Sequence, residues 1–316
     1  MLRHRIVLLL LIAGLFVADV GLAQRSAIQP VQWIIKESTG ADMWAYIAPD
    51  GETITFSRAL DRRTFELLAT DSQGRQPRPF LRSSPAVSLT RGAWSRAHDR
   101  LAFNGGGKEV SDMGIYVADA HGENVKRVPA KGLSSQVLYP SWMPDGRSVV
   151  VVDAAAPGGN TLYRIDLESG NSSALTNPAQ MLVGMPSVSP NGKVVAFAGQ
   201  VNEGQKYDQT KNQIWLMPIG GGKPKSVSAG QGRQPDWSPD GRWLAFASGR
   251  DDPAGHHAVF VVDSAGRNLT QLTEHAVNAQ HPVWSPDGKW LVFSAQVGEQ
   301  ADVFGLARIS VPKLPR

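Results

Sequence analysis

The stretch WSPDGRWLAF at residues 237–246 recurs almost unchanged as WSPDGKWLVF at residues 284–293. Four looser copies come earlier in the chain: IAPDGETITF at 47–56, WSRAHDRLAF at 94–103, WMPDGRSVVV at 142–151 and VSPNGKVVAF at 188–197. Successive copies are offset by 46 to 49 residues when their third positions are compared. Periods of this length are typical of repeat architectures, so we expect one structural unit per copy.

Each copy predicts a β-hairpin followed by further strands. Proline, aspartate and glycine in succession favour a tight turn, because proline presets φ, aspartate bonds nearby backbone and glycine accepts a positive φ. The apolar run after the turn suits a strand that is buried on both faces. A second apolar strand and a short closing strand follow, as in VFVVDSAG at residues 259–266. Six units of four antiparallel strands predict an all-β fold, a six-bladed β-propeller.

The ends of the chain carry two further signals. Residues 31–36, VQWIIK, precede the first complete repeat, and we expect them to supply the outer strand of the sixth blade and close the ring. Residues 1–23 combine a basic start, a short apolar run and small residues before Gln24, which predicts a secretory signal peptide. Residues 24–316 are then expected to form a single propeller domain, exported to the periplasm or secreted.

Composition narrows the functional classes. The chain has no cysteine, so neither a disulfide framework nor a lipid-modified cysteine is available. Its formal net charge is +4, from 32 basic and 28 acidic residues, and it contains no run of lysine or arginine. Nucleic acid is therefore not an expected partner. The apolar run near the start is too short for a comfortable membrane span, and we expect a monomer that does not span the membrane.

The repeat phrase resembles a known family. The pattern W-S-P-D-G-(R/K)-x-L-x-F, followed by I-Y-V-x-D-x-x-G and a closing L-T, is similar to the TolB-type, WD40-like propeller repeat over about residues 42–310. Blade two departs most, with Arg96, Ala97 and His98 where other copies have Pro-Asp-Gly. The resemblance implies the propeller fold. It leaves the function open, because such repeats are found in the periplasmic Tol system, beside prolyl-peptidase-like domains and in some polysaccharide lyases.

The first residue of each innermost strand is expected to lie around the central channel. Short turns dominate one face of the predicted ring and long connections the other, so we expect functional residues on the long-loop face. The repeated aspartates are interpreted as turn formers and the repeated tryptophans as packing between blades. Six residues are the candidate ligand or partner anchors, with a solvated channel mouth as the alternative: Trp44, Arg91, Tyr139, Met185, Gln234 and His281.

Histidines give the only hint of metal chemistry. Four of them fall on long-loop segments of blades five and six, and imidazole suits a divalent transition metal; the four are His256, His257, His275 and His281. An ordinary surface cluster is the competing interpretation. The polar insertion at residues 200–213 is either a contact loop or disordered. No G-x-S-x-G elbow, H-E-x-x-H pair or phosphate-binding loop occurs in the sequence.

Two functions remain in competition at this stage. The first is an exported, non-catalytic scaffold without a cofactor that binds a protein or a cell-envelope component through its long-loop face. The second is a carbohydrate-active enzyme, a metal-assisted polysaccharide lyase or a glycosidase, with its site at the channel mouth. In that case the four histidines would act with a basic group such as Arg91 or Arg233.

Overall fold

The computed structural model describes residues 25–37, 40–83, 86–107, 113–299 and 302–315, so the predicted signal peptide lies outside the described residues. Six antiparallel sheets form the molecule, one per repeat, and each innermost strand packs against those of the neighbouring sheets. The predicted six-bladed β-propeller is confirmed. Within the described ranges, no helix is long and apolar enough to cross a membrane.

The blades are numbered in chain order, with the innermost strand of each given first. Blade one consists of Asp42–Ile47, Thr53–Ala59, Phe65–Asp71 and Arg78–Pro79. Blade two consists of Ser88–Trp94, Arg100–Gly106, Gly114–Asp119 and Lys126–Arg127. Blade three consists of Val137–Trp142, Ser148–Asp153, Thr161–Asp166 and Ser172–Ala174.

The second half of the ring repeats this arrangement. Blade four consists of Met181–Val188, Val194–Val201, Gln213–Pro218 and Lys225–Ser226. Blade five consists of Arg233–Trp237, Trp243–Ser248, Ala258–Asp263 and Thr270–Gln271. Blade six takes three strands from the C-terminal end, Gln280–Trp284, Trp290–Gln296 and Phe304–Ser310.

The Pro-Asp-Gly turns form as the sequence predicts. In blade one, Asp50 Oδ1 accepts the backbone N–H groups of Glu52 and Thr53 at 2.8 and 2.9 Å. Gly51 follows with φ of 75°, a conformation that costs glycine little. In blade five, Asp240 Oδ1 accepts the N–H of Arg242 at 3.0 Å in the same way. The aspartates are therefore turn formers.

The apolar residues of the repeat phrase pack between blades. The phenylalanine that ends the phrase is fully buried in five blades, at Phe56, Phe103, Phe197, Phe246 and Phe293. Full burial of one such side chain contributes about 1.5–3 kcal/mol. The phrase tryptophans are also buried, and they reach the preceding blade: the indole N–H of Trp142 donates to the Ala93 carbonyl at 2.8 Å. Packing between blades is thus confirmed for the tryptophans.

The ring closes through the N-terminal segment. Gln32–Ile35 pairs antiparallel with Phe304–Ser310, with Gln32 opposite Arg308, and becomes the outer strand of blade six. This is the closure expected from the sequence. A further short strand, Arg25–Ser26, pairs in parallel with Thr270–Gln271 and adds a fifth strand to blade five. The sequence analysis missed it, because two residues carry no readable pattern.

Candidate functional site

The six channel residues share an unusual backbone conformation. Each sits at a register shift in the innermost strand of its blade. Their φ values lie between 50° and 59°, a region that residues other than glycine seldom occupy. We call this set the girdle: Trp44, Arg91, Tyr139, Met185, Gln234 and His281.

The bulge explains why the girdle side chains meet. One extra residue in a strand bends it and redirects a side chain, and here the same device repeats in every blade. None of the six is β-branched, which fits a positive φ because branching at Cβ makes that conformation much more costly. The sequence therefore provides suitable residues for this conformation, but it does not reveal the conformation itself.

The girdle residues of five blades contact one another in a continuous series that passes from blade three through blades two, one and six to blade five. The Arg91 guanidinium carbon lies 4.2 Å from the ring centroid of Tyr139 and 4.4 Å from that of Trp44. Trp44 in turn donates its indole N–H to His281 Nε2 at 2.8 Å. His281 completes the series with Gln234, whose Oε1 accepts the His281 backbone N–H at 2.7 Å. Five of the six predicted anchors are thus in mutual contact.

His281 is held neutral in this network. Its Nε2 faces two donors, Trp44 Nε1 at 2.8 Å and Gln234 Nε2 at 2.7 Å, and so must be the unprotonated nitrogen. Its Nδ1 is buried and has no hydrogen-bond partner among the residues that the structure describes. Burial, reinforced by the positive charges of Arg91 and Arg233, keeps the pKa of His281 well below its usual value of 6.5.

A cavity of about 440 Å³ occupies the channel beside the girdle. Five girdle residues line its inner end, and its wall continues past the innermost strands to the tight turns. The prolines of those turns form its outer part: Pro49, Pro144, Pro190, Pro239 and Pro286. The cavity therefore extends from the girdle toward the tight-turn face. From the sequence, functional residues were expected on the opposite, long-loop face.

One carboxylate lies in the wall of this cavity. Asp236 Oδ2 accepts the Trp284 backbone N–H at 2.9 Å, and Oδ1 lies 3.4 Å from Ser187 Oγ. Burial raises the pKa of Asp236, partly offset by the positive charge of Arg96. Tyr46, in blade one, also has a raised pKa, caused by burial and then by the charge of Asp236. The middle of the cavity is consequently polar on two of its sides.

Arg96 spans the cavity near the tight turns. Its Nη2 donates to the Trp237 carbonyl at 3.0 Å, so that blade two is joined directly to blade five on the opposite side of the ring. Sequence reasoning noted Arg96 only as a departure from the repeat. The sequence did contain a signal for this contact, because an arginine in place of the turn proline has a side chain long enough to cross the channel. Asp236 was missed as well, although it is the only acidic residue immediately before the first position of a repeat phrase.

The four candidate metal ligands are not assembled into a metal site. His256 Nδ1 is 4.0 Å from Asp252, and His275 Nδ1 is 3.4 Å from Gln271 Nε2. His257 Nε2 contacts Arg233 Nη1 at 3.1 Å, while His281 belongs to the girdle. Within the described part of the chain, no group of three or more His, Cys, Asp or Glu residues could hold a metal ion. The geometry gives the metal interpretation no support.

The contact between Arg233 and His257 has its own electrostatic character. Burial, together with the charge of Arg233, lowers the pKa of His257 to about 4. Burial also lowers the pKa of Arg233, whose buried Nε has no hydrogen-bond partner among the described residues. Burial is the main cause of both shifts, and the charge of Arg233 adds to that of His257. His257 is therefore neutral at pH 7.

The polar insertion of blade four has an ordered core. The hydroxyl of Tyr207 accepts a hydrogen bond from Asn212 Nδ2 at 2.7 Å, and burial raises its pKa. Asp208 caps a short 3-10 helix, Gln209–Lys211. A Cβ built on Gly184 would come within 2.7 Å of the Tyr207 hydroxyl, so glycine leaves room for the ring beside the innermost strand. The insertion is thus anchored next to the channel.

These features define a class: a closed six-bladed β-propeller whose channel is lined by the girdle and contains a cavity beside it. Residues 203–310, which cover blades five and six and part of blade four, match the family model for the TolB beta propeller domain. The TolB-type resemblance of the repeats is therefore confirmed over these residues, and the chain as a whole is a six-bladed β-propeller.

Two curated relatives share part of the sequence. An uncharacterized protein of Agrobacterium fabrum is 31% identical over 139 residues, which cover 42% of this chain and 42% of the relative. The uncharacterized peptidase YuxL of Bacillus subtilis is 32% identical over 187 residues, which cover 48% of this chain and 28% of the peptidase. The chain therefore matches less than half the length of either curated relative.

Solved structures resemble the whole ring. A putative TolB from Agrobacterium tumefaciens has a TM-score of 0.63 at 20% identity, covering 87% of this chain and 92% of that chain. TolB from Acinetobacter baumannii has a TM-score of 0.58 at 20% identity, covering 87% of this chain and 65% of that chain. An oligogalacturonate lyase from Vibrio parahaemolyticus has a TM-score of 0.55 at 11% identity, covering 92% and 99%. At these identities the likeness extends to the fold alone.

Proposed function

We propose that the protein is an exported, non-catalytic scaffold of the bacterial envelope that binds a protein or cell-wall component in its central channel. The cavity of about 440 Å³ is the observation that carries this proposal. Its volume falls within the range of specific ligand sites, and its wall combines proline and tryptophan rings with polar groups such as Arg91, Gln234 and Asp236. The TolB-like fold and the signal-like sequence at residues 1–23 support an envelope location.

We expect the binding surface to be the channel rather than the long loops. The girdle residues are largely occupied with one another on the long-loop side, whereas the cavity extends to the tight turns. An extended segment entering beside Arg96 would contact the prolines first and the girdle last. In this proposal the girdle residues remain the anchors, and they bind the end of the segment that reaches deepest into the channel.

Crosslinking in the intact envelope tests the scaffold function. A photo-reactive residue at Ala97, which lines the cavity and is exposed, should capture one polypeptide or glycan, identified by mass spectrometry. The same residue at Lys223, exposed on blade four outside the cavity, is the matched control and should not capture that molecule. The captured molecule should then bind the purified protein. Equal capture at both positions, or none at Ala97, would contradict the proposal.

The enzyme alternative has one specific observation in its favour. Arg233 contacts the neutral His257 at 3.1 Å, and burial lowers the pKa of Arg233, which brings a strong base closer to the range useful for proton abstraction. The lyase fold likeness makes a uronic-acid polymer the substrate to try first. Turnover of polygalacturonate, followed by absorbance of the unsaturated product and abolished by His257→Gln, would favour this alternative. Absence of turnover with and without added divalent ions would remove it.

A further inference from the structure

Arg91 is a cation without a counter-ion at the inner end of the cavity. Among the described residues, no ion pair includes it, and its Nε is buried without a hydrogen-bond partner. Arg58 in blade one shows the usual arrangement, with both oxygens of Asp42 at 2.7 and 2.8 Å. Partly buried charges are normally paired because desolvation is costly.

The two rings around Arg91 determine how a partner can approach. The guanidinium carbon of Arg91 lies over the rings of Tyr139 and Trp44, 4.2 and 4.4 Å from their centroids, so the two rings cover much of the group. The approach that the proposed site requires is along the guanidinium edge, where the N–H groups point. A planar carboxylate fits that edge with two parallel N–H···O bonds. The stacked rings also fix the guanidinium, which reduces the entropy lost when a ligand binds.

The rest of the cavity limits what the carboxylate belongs to. Asp236 lies in the wall and retains acceptor capacity for an N–H donor. Elsewhere the wall combines nine prolines and three tryptophans with three serines. A sugar would bury several hydroxyl groups against this mainly apolar wall, which is costly where they lack partners. A peptide can place apolar side chains against the prolines and donate backbone N–H groups to Asp236.

We propose that the inner end of the cavity is a carboxylate site, in which Arg91 binds the C-terminal carboxylate of an extended peptide that enters from the tight-turn face. The site rests on the proposed scaffold function and names the partner class, a protein with an accessible apolar C-terminus. His281, neutral and hydrogen-bonded to Trp44, keeps the ring on one side of Arg91 in position. Arg96, whose bond to the Trp237 carbonyl crosses the cavity near the tight turns, has to move aside for the peptide to enter and then adds a second cation toward the mouth.

The test uses the protein of residues 24–316 with two peptide pools. Both contain acetylated hexapeptides of mixed apolar sequence; one has free C-terminal carboxylates and the other C-terminal amides. Binding is measured by affinity selection and then by calorimetry with the best peptide. Removing one member of a buried charge pair costs at least about 2 kcal/mol, so we expect about 30-fold weaker binding of the amide.

Variants connect the effect to one side chain. Arg91→Met keeps much of the side-chain volume and should abolish the preference for the free acid. Arg91→Lys keeps the charge without the planar edge and should retain only part of it. Arg147→Met removes an exposed cation beside the turn of blade three and should bind like the unchanged protein. Thermal unfolding of each variant verifies that it is folded.

The outcomes distinguish a peptide carboxylate site from a uronic-acid site and from the absence of any carboxylate site. A preference for the free acid that disappears in Arg91→Met supports the site. Equal binding of acid and amide, or no binding of either pool, overturns the carboxylate site. It leaves the scaffold function standing, since that depends on capture at Ala97. Selective, Arg91-dependent binding of trigalacturonate instead of peptide overturns the peptide assignment and identifies a uronic acid as the source of the carboxylate.

Discussion

Replacing His281 by leucine should destabilise the ring by an amount that follows from its contacts. The substitution removes the acceptor for the indole N–H of Trp44 and the amide N–H of Gln234. Gln234 cannot turn away freely, because its Oε1 still accepts the backbone N–H of residue 281. Each buried donor left without a partner costs about 1–3 kcal/mol. Since both donors share one lone pair in the native protein, we expect a total of about 2–3 kcal/mol.

Urea unfolding measures this loss, as a lower midpoint with an unchanged slope. His281→Gln restores a carbonyl acceptor with two lone pairs and should recover at least half of the stability. His256→Leu, at a side chain that is 45% exposed, is the matched control and should change the free energy of unfolding by less than about 0.5 kcal/mol. If leucine at position 281 were as stable as histidine, or if glutamine were no better than leucine, the acceptor role would be refuted.

Three further measurements probe other parts of the molecule. The pKa of His257 is about 4 in the folded protein and 6.5 in the unfolded chain, so the unfolded state binds more protons as the pH decreases below about 6.5. Lowering the pH from 7 to 5 should therefore reduce the free energy of unfolding by about 2 kcal/mol. In urea unfolding, His257→Gln should lack this part of the pH dependence. Met185→Val puts a β-branched residue at φ of 50° and should be about 1–2 kcal/mol less stable than Met185→Leu in thermal unfolding; equal stabilities would contradict the strain argument. Asp42→Ala leaves the Arg58 guanidinium without its carboxylate partner and should lower the free energy of unfolding by about 3–5 kcal/mol. Glu123→Ala, in an exposed ion pair with Arg82, should lower it by less than about 1 kcal/mol. Similar losses for the two variants in urea unfolding would contradict the role assigned to burial.

The repeat made the architecture predictable. Proline, aspartate and glycine act locally, so a turn such as that at Asp50 can be read without knowing what surrounds it. The period of the phrase then gives the number of blades, and the leftover strand at residues 31–36 gives the closure. Local chemistry repeated six times left little freedom for the fold.

The candidate site was predictable in position and not in conformation. Counting along the strands located Trp44, Arg91 and His281 at the channel, because strand order determines where each innermost strand begins. Their positive φ values arise from the bulge, which depends on pairing between strands rather than on any one residue. Contacts across the ring, such as that from Arg96 to the carbonyl of Trp237, join residues 141 positions apart and have no local signal.

Closure by Gln32–Ile35 has a consequence for the order of folding. Blades one to four consist of strands that are near one another in the chain, as do the four antiparallel strands of blade five, and each can assemble soon after it is synthesised. Blade six needs a strand translated at the start and three translated at the end, with partners such as Gln32 and Arg308 separated by 276 positions. Joining ends that far apart costs about 5 kcal/mol of chain entropy before any contact compensates. The ring therefore remains open until translation is nearly complete, and a chain released early exposes two unpaired blade edges at once.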